Sequence, residues 1–306
     1  MTNQFEDNGL KDLQALMNAA KAKQKDIDKE DDEDEEEGDG DKFMGMLEAQ
    51  ASNSLMMAYH SNPQCVNPQS LDPRLLKFEG GNQQHAWGKP QADGSVPLPA
   101  GFEQVIMLGP VVIVCAKQGK PHDNALVVYR DGFAFQASGK QAKPWRFDEV
   151  AGIQTTLESH RVGGKREYKL TRTTGESLVL DEHMYSGVSK DDWVKLVEAL
   201  EAAADQIKLA VFKLLTPPAV QHYEAGEALK FGPVTVQQNV GLQLGGHRYA
   251  WGDVQNIEVD DGRLKVTLNN GKHDEIRVPE IPNIELLARL IGVDVVTLEN
   301  GMRAYI

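Results

Sequence analysis

Five cations crowd one short stretch of the chain: Arg161, Lys165, Arg166, Lys169 and Arg172, gathered around a Gly163-Gly164 turn dipeptide. Cations at this density suit an anionic headgroup, held by charge and by charge-assisted hydrogen bonds. On a strand, however, alternate residues point to opposite faces. Lys165, Glu167, Lys169 and Thr171 would share one face, and Arg166, Tyr168, Leu170 and Arg172 the other. The plainer reading is a solvated strand edge whose charges discourage sheet-to-sheet aggregation. Other reactive patterns fall away quickly. Gly163-Gly164-Lys165 lacks the upstream glycine of a phosphate loop, and a strand pattern, not a helix, follows it. The eight histidines (60, 85, 122, 160, 183, 222, 247 and 273) include no pair at zinc-binding spacing. Glu35, Glu37, Asp39 and Gly40 imitate the opening of a calcium loop, but its twelfth position falls on Met46, where a bidentate Glu is required. No catalytic residue, cofactor or metal site is expected, and the chain reads as non-enzymatic.

A second candidate is apolar. Phe43, Met44, Met46, Leu47, Leu55 and Met56 return hydrophobic character after a long polar stretch. The segment 43–60 is expected to form a helix that docks on the protein itself or on a partner. Earlier, Leu10, Leu13, Leu16 and Met17 hint at a nascent amphipathic helix over 8–24. Between the two lies Asp26 to Asp41, almost wholly acidic with Lys29 its one base, where like charges prevent collapse.

Charge divides the chain in the same way. Residues 1–99 hold 9 Lys and Arg against 19 Asp and Glu, and the rest holds 23 against 27. The acidity sits in an arm, and the remainder is near balance. A chain of net charge −14 is repelled by nucleic-acid phosphates, so nucleic acid is not an expected partner. Two cysteines, Cys65 and Cys115, cannot build a disulfide framework, and a reducing, cytoplasmic setting fits. The start of the chain has no basic, apolar leader pattern. The longest apolar run, Val105 to Ala116, is broken by Gly109-Pro110 and is far short of the ~20 residues that cross a bilayer.

The elements that must position these residues come twice. Trp145-Arg-Phe147-Asp-Glu149-Val150-Ala-Gly-Ile153 matches Tyr249-Ala-Trp251-Gly-Asp253-Val254-Gln-Asn-Ile257. Each block follows a short strand opened by a glycine, Gly132 or Gly241, and precedes a hairpin turned near Gly175 or Gly271. Phe147, Val150 and Ile153 are spaced by three, which predicts a β-bulge at the acidic pair. Each copy ends in a helical pattern. The first, from Ser189 with Trp193, Leu196, Val197, Leu200, Ala203 and Ile207 inward, is predicted to stop at Pro217-Pro218. The second starts at Pro282-Asn283 with Leu286, Leu287, Leu290 and Ile291 inward. A period near a hundred residues means two copies of one domain, not a solenoid.

Six or seven short antiparallel strands closed by a helix resemble the pleckstrin-homology-like fold. More closely, residues 125–290 look like a bacterial family of unknown function with two such domains in tandem. The marks are Tyr129-Arg130-Asp131-Gly132, Phe147-Asp148-Glu149-Val150, Phe231-Gly232-Pro233 and Trp251-Gly252-Asp253-Val254. The resemblance implies a mainly β (α+β) fold of two tandem split barrels, each with its C-terminal helix. The expected organisation is a disordered acidic arm over 1–60, an irregular linker over 61–100, domain one over 101–226 and domain two over 227–306. The expected function is a protein-interaction scaffold with a protein partner. Its alternative is an anionic-lipid binder acting through the basic hairpin, as phosphoinositide-binding pleckstrin-homology domains act. Self-association remains open.

Overall fold

The computed structural model describes residues 39–61, 125–128, 132–136, 143–160, 163–183, 190–293 and 303–305. The expected helix over 8–24, most of the acidic run and linker, and the strands expected within 105–116 lie outside these residues. Within them the protein is β-rich, with antiparallel sheets, three α-helices and no closed barrel. Two compact units divide the chain, residues 1–147 with 185–210, and residues 148–184 with 211–306. The sequence repeat turns over near residue 226, so these units cut through its first copy.

In the first unit, helix α1 (Asp39–Ser61) begins in the acidic run, where carboxylates favour a helix N-terminus. Phe43, Leu47, Ala51, Leu55 and Ala58 recur at helical spacing and are all buried. A three-stranded antiparallel sheet follows: β1 (Ala125–Val128), β2 (Gly132–Gln136) and β3 (Lys143–Arg146). Its core is aromatic. Phe133 stacks on Trp145 at 5.8 Å and meets Phe147 at 6.3 Å.

In the second unit, β4 (Val150–His160), β5 (Gly163–Arg172) and β6 (Ser177–His183) form an antiparallel run. β7 (Leu229–Phe231), β8 (Val234–Gln237), β9 (Gly241–Leu244) and β10 (His247–Ala250) make a second sheet. β11 (Val254–Asp260), β12 (Arg263–Leu268) and β13 (His273–Arg277) make a third. A short helix, α3 (Ile284–Leu290), follows, and β14 (Arg303–Tyr305) pairs in parallel with β4 at Leu157–Ser159.

The repeated motif builds the same backbone twice. Each block opens with a 3-10 turn, Phe147–Glu149 and Trp251–Asp253. Each next strand then carries a register irregularity, at Val150/Gly152 in β4 and Val254/Asn256 in β11, so the bulge expected at Asp148-Glu149 falls just after that pair, which itself forms the 3-10 turn. The 3-10 turn is tied to the following hairpin in both copies, by Thr173 N–H to Glu149 O and by Asn269 N–H to Asp253 O, both 2.9 Å. The two hairpin turns also match. Gly175 and Gly271 hold positive φ, as a type I turn closed by a glycine bulge requires.

Helix α2 (Lys190–Glu224) departs from expectation, because it runs straight through Pro217 and Pro218. Two prolines remove two intrahelical donors. Both lie on the exposed side of the helix, where carbonyls can turn to water, while Phe212 and Thr216 bury the opposite side. The helix ends where the sequence places a glycine. Gly226 adopts φ +78°, with Gly226 N–H bonded to Tyr223 O and Glu227 N–H to His222 O, a Schellman cap.

Candidate interaction site

The basic hairpin is β4–β5. Its faces divide as the strand period requires: Tyr168 and Leu170 are buried, while Lys165, Glu167 and Lys169 lie on the opposite face. Cross-strand register brings carboxylates to the lysine face, with Glu158 opposite Lys165 and Asp181 opposite Glu167. Lys165 Nζ pairs with Glu167 at 2.8 Å, and that bond, with the charges of Glu158 and Asp181, holds its pKa above the usual 10.5. Arg172 is drawn to Glu176 at 2.6 Å and Glu149 at 3.3 Å, which fastens the bulged start of β4 to the next turn. Arg166 faces the buried side of β5, and Arg161 lies outside the described residues. Cations already matched by neighbouring carboxylates offer an added anion little net charge.

The apolar segment is placed on α1. Phe43, Leu47 and Leu55 are buried within the fold; Met44, Met46 and Met56 are half-buried, and Met57 is 52 % exposed. The helix is also held by polar bonds. Ser54 Oγ donates to Asp205 at 2.5 Å, and Gln206 Nε2 donates to the Ala51 carbonyl at 3.0 Å. Asp205 in turn pairs with Lys208 at 2.8 Å, the two side chains only 6 % and 5 % exposed.

A polar cluster that the sequence reading did not single out joins β10 to β13. Tyr249 OH donates to Asp274 at 2.8 Å, and His247 Nδ1 contacts the same oxygen at 3.0 Å. Burial opposes the charge of Asp274, but these bonds and the Glu275 N–H outweigh it and hold its pKa below the usual 3.8. Burial, reinforced by the Asp274 carboxylate, raises the Tyr249 pKa. His247 and Tyr249 share a strand face two residues apart, a signal present in the sequence; Asp274, in a separate sheet, carries none. No group of three His, Cys, Asp or Glu suited to a metal occurs among the described residues.

Sheet edges are the remaining feature. The outer edge of β4 is filled by the chain itself. Asn283 N–H donates to Ile153 O at 2.8 Å, its Oδ1 accepts from Ile153 N–H at 2.9 Å, and its Nδ2 donates to Ala151 O at 3.0 Å. Gln154 Nε2 reaches Pro279 O at 2.8 Å, and β14 covers residues 157–159. At the other end of this sheet, β6 pairs only with β5 among the described residues, and Val179 on it is 41 % exposed. No described helix is long and apolar enough to cross a membrane.

The chain belongs to a family of unknown function, DUF6585, whose model matches residues 105–299. No curated protein and no solved structure matches it.

Proposed function

We propose that this protein is a non-enzymatic interaction platform, a tandem pair of pleckstrin-homology-like domains that binds extended segments of partner proteins along open sheet edges. The recurrence of a small antiparallel sheet (three strands in the first copy, four in the second), a 3-10 turn, three strands and a helix supports the tandem reading. The observation that carries the functional reading is β6. It is a seven-residue edge strand, unpaired on its outer side among the described residues, with the exposed Val179 as its third residue. Such an edge offers a row of backbone donors and acceptors to an incoming strand, and side chains beside it supply selectivity. The half-exposed methionines of α1 provide a second, adaptable contact.

The test is affinity purification of the tagged full-length chain from its host, beside full-length Val179→Lys and Met56→Lys/Met57→Lys variants, with co-purifying proteins identified by mass spectrometry. A stoichiometric partner lost with Val179→Lys supports strand addition at β6. A partner lost only with the methionine variant moves recognition to α1. No stoichiometric partner in any sample rejects the platform reading.

A further inference from the structure

The β4–β5–β6 sheet has two flanks, and the chain treats them differently. The β4 flank is closed by Asn283, Gln154 and β14. The β6 flank carries no pairing strand among the described residues. Exposed edges are commonly blunted by lysine, proline or a bulge. Ser177-Leu178-Val179-Leu180 contains no lysine or proline, and β6 keeps an unbroken register with β5.

The direction of its backbone groups follows from the turn. Arg172 N–H donates to Glu176 O at 2.8 Å and Gly175 N–H to Arg172 O at 2.9 Å, so Arg172 and Glu176 close the hairpin as a bonded pair. Bonded pairs alternate along an antiparallel ladder. Leu170–Leu178 and Tyr168–Leu180 are the next bonded pairs, and Ser177, Val179 and Asp181 turn their N–H and C=O away from β5. The same alternation turns Ile153, opposite Leu170, away from β5, and Asn283 meets it there. On β6 the outward residues are open: Ser177 is exposed, Val179 is 41 % exposed and Asp181 is half-buried.

This edge is complementary to itself. A second β6 can lie antiparallel beside it with Val179 opposite Val179, backbone groups facing. Ser177 of each strand then lies opposite Asp181 of the other, and Leu178 opposite Leu180. On one face valine meets valine, and each Ser177 hydroxyl can donate to a carboxylate. Thr171 Oγ1, 3.4 Å from Ser177 Oγ, can donate to Ser177 in turn. On the other face leucine meets leucine, which extends the apolar side that Leu170 and Leu180 bury. At the ends Glu176 faces Glu182, but Glu176 is paired with Arg172 at 2.6 Å and Glu182 stands opposite Arg166. Neighbouring registers fit worse. Centring on Leu178 sets Glu176 against Leu180, centring on Leu180 sets Val179 against Asp181, and centring on Asp181 sets two carboxylates together.

We infer that β6 pairs with β6 of a second copy of this chain, antiparallel and centred on Val179, so that two copies share one continuous sheet. This rests on the reading of β6 as a strand-accepting edge and names its occupant; a segment of another protein would compete for the same backbone groups. The pairing is two-fold and the β4 flank is closed, so assembly stops at two copies and does not grow into a fibre.

The test is sedimentation velocity of the full-length chain. The overlap of residues 177–181 is a small interface, so a weak monomer–dimer equilibrium is expected between about 1 and 500 micromolar at ~0.15 M salt. Val179→Lys places two ammonium groups across the two-fold axis and should leave only monomer, with circular dichroism unchanged. Ser177→Lys places a lysine opposite Asp181 twice per dimer and should tighten association by roughly threefold to tenfold, a gain that misfolding cannot imitate. Ser177→Lys/Asp181→Lys should be monomeric again. A parent chain that stays monomeric, or a dimer that Val179→Lys or Ser177→Lys leaves unchanged, overturns the inference. A monomeric chain that still loses a host protein on Val179→Lys overturns it too, and leaves the platform reading standing.

Discussion

Asn283 and Ile153, 130 residues apart, are joined by a backbone bond and a side-chain bond, so that one asparagine does for the edge of β4 what a neighbouring strand residue would do. Asn283 is 8 % exposed and sits in the left-handed region at φ +54°, a conformation asparagine tolerates well. Asn283→Gly keeps that backbone accessible while deleting both amide contacts. It is expected to lower unfolding stability by about 1–3 kcal/mol in urea melts. Asn283→Ala should lose somewhat more, because alanine also resists positive φ.

The Asp205–Lys208 pair makes α1 conditional on one carboxylate. Asp205→Ala removes the carboxylate that accepts from Ser54 and pairs with Lys208 and should cost about 1–3 kcal/mol, with fast amide exchange across residues 43–58 as the local signature. Ser54→Ala removes one bond and should cost about 1 kcal/mol with the same residues affected less.

Asp274 gives the second unit an acid dependence. Its folded pKa lies below 3.8, so its contribution is fully present above that value and is lost as pH falls through the folded pKa. The difference in urea midpoint between the parent chain and Asp274→Asn should be constant near neutrality and shrink below pH 3.8. A difference unchanged down to the lowest folded pH would contradict this assignment.

Glycine positions separate strain from crowding. Gly232→Ala combines φ +61° with a Cβ 2.8 Å from the Glu280 carbonyl and 2.9 Å from Pro282. Gly175→Ala has φ +88° and open space around it. The second should cost only about 1 kcal/mol, and the first clearly more, read as thermal midpoints of the two variants.

Matched charge on the β4–β5 hairpin predicts poor retention by anionic membranes. Vesicles containing a phosphoinositide should not sediment the full-length chain at physiological salt, whereas Glu167→Lys/Asp181→Lys should sediment with them. Strong binding by the parent chain would restore the lipid reading.

Much of the fold was legible because it rests on local rules. The Phe147–Ile153 spacing announced a bulge, and Gly132, Gly175, Gly226 and Gly241 each marked a real turn or strand boundary. The helix through Pro217-Pro218 was not legible, since local propensity cannot say which side of a helix will face water. Nor was the fate of the basic cluster. Lys165 and Arg172 were visible as cations, but their carboxylate partners arrive by cross-strand register and by turn geometry. The Asn283 clamp was least visible of all, because nothing near residue 283 in the sequence points to residue 153.

That same clamp sets a timetable for the growing chain. β4 leaves the ribosome well before the residue that closes its edge. At about 5–20 residues per second, the intervening 130 residues take on the order of ten seconds to synthesise. Through that interval the β4–β5–β6 hairpins carry a bare, bondable flank, the type of exposed edge that recruits neighbours on crowded polysomes. Quality control during translation, more than the finished protein's stability, is where a weakened Asn283 would first be felt.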